Sequence, residues 1–427
     1  VGKPKSVGSK RWLLALSLPF IGVSRGRADD SVGFSHQTYA EEHGRIEVQT
    51  ETLHIRKTIT PWLDVTVREV YDAISGATPT GAPAIRQLKM RDPGTGDAIP
   101  PSSITGYTRQ FDGVSGASQS GPIIRAMAQN KVPVTDSPDF RLGSDVAFGL
   151  THGPHRLAPE FSYSNESDYR SYGFALNYSY EFNDKNTTLS LGWAHAYDDI
   201  LANQFTYLTK SSVKNTDNFI IGVTQLLGPG TVFGANLTLG YAHGYLNDPY
   251  RAVVFDESNL DVDNRVVLNN GEKRPSHRSS QALLLSLTQS IKPLDASVEG
   301  TYRFYHDSYG IYANTVSVAW FQKFGKGLVV SPSVRYYHQT AADFYGIQFP
   351  GDPINDPDLV PSFYSADYRL SRLQAFTLGL ETTIKLREHF DLHLGYQRYW
   401  MRGLDHDTDQ STYPKANIFT IGLTYAF

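Results

Sequence analysis

Cysteine is absent from the 427 residues, and no stretch beyond residue 28 holds twenty consecutive apolar residues. The first absence excludes disulfides, thiolate metal sites, iron–sulfur clusters, thioether-linked haem and a lipidated cysteine. The second, with a mean hydropathy of −0.34, excludes a helical membrane protein. An excess of basic charge is also missing. The formal net charge is −4, and residues 1–28 contribute Lys3, Lys5, Lys10 and Arg11 with no acid, so the remainder is more acidic still. Nucleic acid is therefore not an expected partner.

What is present is aromatic and small: 26 Tyr, 22 Phe and 36 Gly. That mixture suits strands with an aromatic outer surface and small inward residues. Residues 1–28 read as a secretory signal, with the basic cluster, the apolar run Trp12 to Val23, and the small residues Gly26 and Ala28 before Asp29. Residues 29–427 then form the exported part.

At the end of the chain Phe419, Ile421, Leu423, Tyr425 and Phe427 alternate with Thr420, Gly422, Thr424 and Ala426. One face is large and apolar, the other small or polar. The same period recurs from Tyr172 to Phe182, Phe233 to Tyr241, Phe376 to Leu386 and Phe390 to Tyr396, with Glu381, Lys385, Asp391 and His393 on the small face. Charges there are costly in a dry sandwich core and natural in a wet lumen. Short turns are expected at Thr60–Trp62, His152–His155, Asn183–Asn186, Gly228–Gly230, Lys292–Pro293, Gly325–Gly327 and Arg387–His389. Longer connections alternate with them, at 74–140, 166–170, 201–213, 247–279, 307–311, 341–370 and 402–415. Counting back from Phe427, and adding a first strand over Ser31 to Ala40 with an outer turn at Glu41–Gly44, gives sixteen strands. The predicted fold is an all-β, transmembrane, antiparallel up-and-down barrel of an outer membrane, in contact with its lipid and with both termini periplasmic. The 74–140 segment is long enough to be a plug, a constriction or an external loop.

Two segments in or beside that connection share the pattern D-x-x-S-G-A-[ST]. The first contains Asp72, Ser75, Gly76, Ala77 and Thr78. The second contains Asp112, Ser115, Gly116, Ala117 and Ser118. The pattern resembles the site at which FAD:protein FMN transferases join FMN, through its phosphate, to a Thr or Ser hydroxyl. The resemblance implies covalent FMN on Thr78 and Ser118. The chemistry suits the residue types: a terminal hydroxyl forms the phosphoester, and Gly and Ala leave the backbone open to another enzyme. Pro79 after the first site and Ser in place of Thr at the second depart from the pattern.

The run Tyr71 to Pro83, with Asn183 to Thr188 and Gly192 to His195, is similar to a family of large outer-membrane barrels known as a domain of unknown function. The resemblance implies a barrel in that compartment.

The thirteen His residues form no metal-ligand motif, and Asp352, Asp356 and Asp358 lack calcium-loop spacing. Trp193, Trp320 and Trp400 fit aromatic girdles. No hydrolase signature marks a nucleophile, so no catalytic residue is assigned. The leading expectation is a flavin-bearing redox carrier that relays electrons across the outer membrane, with neither haem nor iron–sulfur. Its partners would be the flavin transferase and a periplasmic redox protein or lipoprotein. The alternatives are a porin or substrate-selective channel with 74–140 as its constriction, and a scaffold for a periplasmic or lipoprotein partner.

Overall fold

Strands that cross lipid must satisfy every backbone N–H and C=O among themselves, and a sheet does so only by closing. The computed structural model describes residues 30–108, 131–136, 139–202, 208, 210–258, 260–261, 263–353 and 356–427. Within them sixteen antiparallel strands form a closed barrel. In chain order they are β1 (Ser31–Glu41), β2 (Glu47–Thr60), β3 (Leu63–Ser75), β4 (Asp139–His152), β5 (His155–Asn165), β6 (Tyr169–Phe182), β7 (Thr187–Ile200) and β8 (Ser212–Gly228). They continue with β9 (Thr231–Gly244), β10 (His277–Ile291), β11 (Ala296–Asp307), β12 (Tyr312–Phe324), β13 (Leu328–Gln339), β14 (Leu373–Arg387), β15 (Phe390–Gly403) and β16 (Lys415–Ala426). Each pairs with its sequence neighbours, and β1 closes the ring on β16, with Ser31 opposite Ala426 and Glu41 opposite Ala416. The predicted strand count and hairpin order are observed, and the longest connections all lie at one rim, although two connections there, 166–168 and 308–311, are as short as the turns at the other. The proposed signal segment 1–28 lies outside the described residues.

Alternation sets what each face meets. Phe34, Phe140, Leu142, Phe161, Phe219, Ile221, Phe419 and Ile421 point outward and are exposed in the isolated chain. Such an extensive apolar surface far exceeds the patches that monomers show to water. Aromatic contacts edge the belt. Tyr425 with Phe390 and Tyr180 with Phe182 lie toward the short turns, and Tyr163 with Tyr172 and Phe376 with Trp400 toward the long loops.

The buried hydrophobic residues lie mostly outside the barrel wall. Long connections from different hairpins fold together in the outer mouth as a cap. Its main cluster joins Ala82, Ile85, Leu88, Met90 and Ile104 from one connection with Ala252, Val254, Val266 and Leu268 from another. A second cluster adds Val253, Phe255, Phe349, Tyr364 and Ala366. Short ladders reinforce it. Ala77–Pro79 pairs with Val134–Asp136, and Gly106–Thr108 runs parallel to Arg265–Val267. Its underside reaches lumen-facing residues, where Tyr368, Leu373 and Tyr413 pack with Tyr337 and Met401. The described parts of the segment after β3, residues 76–108 and 131–136, are thus one component of a composite body.

Since the cap has its own core, it should be separable from the barrel in stability. Met90→Ala or Leu268→Ala should cost the cap about 2–5 kcal/mol. Limited proteolysis should then cut the β3–β4 connection, while unheated samples keep the compact electrophoretic mobility of a closed barrel.

Candidate functional site

The first FMN-like segment forms the joint between β3 and the cap. Asp72, on the inward face of β3, accepts a 2.6 Å hydrogen bond from the Thr50 hydroxyl and lies 3.7 Å from the Arg141 guanidinium. Gly76 has φ +97°, and a Cβ there would collide with the carbonyl of Arg45. Only glycine suits that turn and that approach. Ala77 and Thr78 are buried, and the Thr78 hydroxyl reaches the Pro79 carbonyl at 3.4 Å. Ser75, by contrast, is exposed at the end of β3. The small residues of this segment thus have a local packing role, and the Thr78 hydroxyl is enclosed in the folded chain. Asp112, Ser115, Gly116, Ala117 and Ser118 lie outside the described residues.

Pro79 leads into the most polar part of the cap, which sequence reasoning did not single out. Asp248, Glu272 and Asp367 face Arg251, Arg274 and Arg369. Arg369 bridges Asp248 at 2.5 Å and Asp367 through Nε at 2.8 Å. Arg274 spans Glu272 at 2.7 Å and Asp367 at 2.8 Å. Arg251 reaches Asp248 at 3.2 Å and donates to the Pro79 carbonyl. Ser365 Oγ and the Asp248 backbone N–H donate to Glu272. Three carboxylates and three guanidiniums balance, so the buried charge is tolerable. The network ties the β9–β10 and β13–β14 connections to the segment after β3. Other links join the β15–β16 connection: Arg86 to Asp409 at 2.5 Å, Gln87 to the Asp407 carbonyl at 2.6 Å, and Tyr345 to Thr408 at 2.5 Å.

Within the network the acids titrate apart. Burial would raise Asp367, but Arg369, Arg251 and Arg274 outweigh it and hold its carboxyl well below the usual range. Burial dominates at Glu272, aided by Asp367 and Asp248, and raises it despite Arg274.

Beneath the cap the lumen is asymmetric. On β6 to β10 the inward residues are small: Gly173, Gly192, Gly222, Gly234 and Gly240 face Ser or Asn side chains close enough to exclude a Cβ. On β11 to β15 the wall carries Arg303, Tyr305, Arg335, Tyr337 and Tyr399. Arg303 lies 5.3 Å over the Tyr305 ring. Its backbone is opposite Thr315, which in turn is opposite Tyr337, while Arg335 is opposite Ser317. The two arginines therefore lie two strands apart, flanking a polar strip, with Tyr337 above Arg335. Among the described residues neither has a carboxylate within ion-pair distance. By contrast Arg56 and Arg156 on the opposite side are both engaged by Asp64. No group of three or more His, Asp or Glu side chains among the described residues could hold a metal ion.

The two shifts predict a pH window for the cap. Asp367, lowered on folding, contributes stability above its unfolded pKa and loses it as pH falls through the depressed value. Glu272, raised on folding, contributes below its unfolded pKa and loses it as pH rises through the elevated value. Hydrogen-exchange protection of 248–272 should therefore peak in mild acid. Glu272→Gln should flatten its fall on the alkaline side. Asp367→Asn should remove protection at every pH, by about 3–5 kcal/mol, because it strands buried guanidiniums.

Comparison with solved structures returns outer-membrane barrels at low identity. A bacterial polysaccharide outer membrane secretin matches at 8% identity and TM-score 0.46, covering 93% of this chain and 98% of its own. OmpT of Vibrio cholerae, in a trimer form, matches at 10% and 0.41 with the same coverage. OccK1 (OpdK) of Pseudomonas aeruginosa matches at 10% and 0.40, again over 93% and 98%. No curated protein matches the sequence. One family profile matches residues 23–413, nearly the whole chain, and by that match the protein belongs to the DUF3570 family, described as proteins of unknown function.

Proposed function

We propose that the protein is a solute-selective channel of the outer membrane that favours small anionic solutes. The observation that carries this reading is the pair of lumen arginines, Arg303 and Arg335, that have no ion-paired carboxylate among the described residues and are set among Tyr305, Tyr337 and Tyr399 below the cap. A sixteen-stranded barrel has room for an aqueous path. A guanidinium without an internal carboxylate offers paired donors to a carboxylate or phosphate, and tyrosine rings add an apolar surface for the rest of the solute. The small-residue wall on β6 to β10 supplies the space opposite. The outward apolar belt with aromatic edges supports a place in a lipid bilayer, and a closed β-barrel supports the outer membrane of a Gram-negative-type bacterium. The cap, seated in the outer mouth, is the element that controls access from outside.

Covalent FMN on Thr78 and Ser118 remains the second reading, resting on the D-x-x-S-G-A-[ST] pattern. The burial of Thr78 adds a condition: transfer to that hydroxyl would precede closure of the cap.

Reconstitution in planar bilayers separates the two. The channel reading expects anion-selective conductance that increases when 77–136 is replaced by a short linker. A single charge contributes about 1 kcal/mol to an ion ~4 Å away in water. Arg303→Ala with Arg335→Ala should therefore lower the anion-to-cation permeability ratio by about fivefold or more. An unchanged ratio would reject these arginines as the selectivity element. For flavin, the intact mass of native protein should exceed the polypeptide by one or two FMN units, and Thr78→Ala with Ser118→Ala should abolish the increment.

A further inference from the structure

Not all of the outward face is apolar. On β1 to β4 the alternation places polar side chains where lipid is expected. His36 shares a face with exposed Phe34, Glu51 with Leu53, Glu69 with Tyr71, and Ser144 with Leu142. They are linked in pairs. His36 Nδ1 meets Glu51 Oε1 at 2.7 Å, and Ser144 Oγ donates to Glu69 Oε2 at 2.6 Å.

The depth of this row follows from strand register. On β16 the outward series from the short-turn rim upward is Tyr425, Leu423, Ile421, Phe419 and Asn417. His36 is opposite Ile421, the middle of that series. Because the strands tilt, each step across the hydrogen bonds from β1 toward β4 climbs toward the outer rim. Ser31, at the bottom of β1, is opposite Arg56, already well above the lower end of β2 at Thr60. Glu51 is opposite His36. Glu69 is opposite Leu53, one outward place below Glu51, which cancels the climb. Ser144 is opposite Glu69. The four side chains thus share roughly one depth, near the middle of the apolar belt.

Carboxyl groups at mid-membrane are disfavoured against lipid and are normally covered by protein or paired. We propose that the outward face of β1 to β4 is the contact surface for a second copy of this chain, packed about a two-fold axis along the membrane normal beside β2. Such an axis preserves depth, so a row at one depth can meet itself. It places β1 of each copy against β3 of the other. His36, the one group of the row able to carry a positive charge, meets Glu51 through Nδ1 and Thr38 Oγ1 through Nε2 in its own chain; the axis turns it toward Glu69 of the second copy, a carboxyl with no ion-paired cation among the described residues of its own chain. The two-fold axis forms this contact twice.

The absence of native cysteine makes the test clean. Leu53→Cys, outward on β2 beside the axis, should cross-link under oxidation in intact membranes to a species of twice the chain mass. Leu287→Cys, outward on β10 across the barrel, should not. Native mass spectrometry of the unmodified protein in mild detergent should read a dimer. Combining Leu53→Cys with His36→Leu and Glu69→Leu should lower the cross-linked fraction by about fivefold or more, as expected for polar contacts between chains in a membrane. A compact unheated electrophoretic band shows that this variant is folded, and Glu69→Gln alone serves if it is not. A monomeric mass without the Leu53→Cys product would overturn the proposal. So would equal cross-linking from Leu287→Cys, or a product formed with a different protein.

Discussion

Ring closure is the constraint on which the rest of this structure depends. Sixteen strands leave no backbone edge only because β1 returns to β16, at a register that pairs Ser31 with Ala426. Once the ring is closed, the face on which a side chain lies determines its solvent. Large apolar residues outside face lipid, and inward residues face an aqueous lumen. A slip of one residue at any hairpin would exchange these environments for a whole strand. The short turns at one rim keep that register, and the long connections at the other are free to carry function.

Those long connections pack into one body with hydrophobic clusters of its own. Among the described residues no close-packed hydrophobic core fills the inside of the barrel. Buried apolar side chains such as Met90, Ile104, Val254 and Leu268 gather instead in the outer mouth. Beside them lies a balanced set of six charged residues whose partners come from separate hairpins. Hydrophobic burial gives the cap compactness, while the charge network fixes which connection meets which. A cap held by a few buried ion pairs is a natural place for control, since breaking one pair strands the others. Below it, Arg303 and Arg335 have no ion-paired carboxylate among the described residues, whereas Arg56 and Arg156 already have theirs in Asp64.

The barrel was readable along the chain because its signal is local. Period-two alternation, as in Phe419 to Phe427, needs no knowledge of distant residues, and turn positions such as Asn183–Asn186 are marked by their own composition. The site was far less readable. The D-x-x-S-G-A-T segment stood out by pattern, yet in the fold Gly76 answers to the carbonyl of Arg45, some thirty residues earlier. Arg251 and Pro79 meet across more than 170 residues. No local pattern announces such a contact. The polar outward positions on β1 to β3 were obscured for another reason: there both faces are polar, so alternation is lost.

The sequence alone therefore determined the class of the protein, the number and order of its strands and the faces of most of them, because each depends on neighbours two residues apart. The tertiary structure decided which loops close the mouth, which arginines are left unpaired in the lumen, and that His36, Glu51 and Glu69 share one depth on the lipid face. Those outcomes depend on barrel tilt and on contacts between distant hairpins, which exist only once the ring has closed.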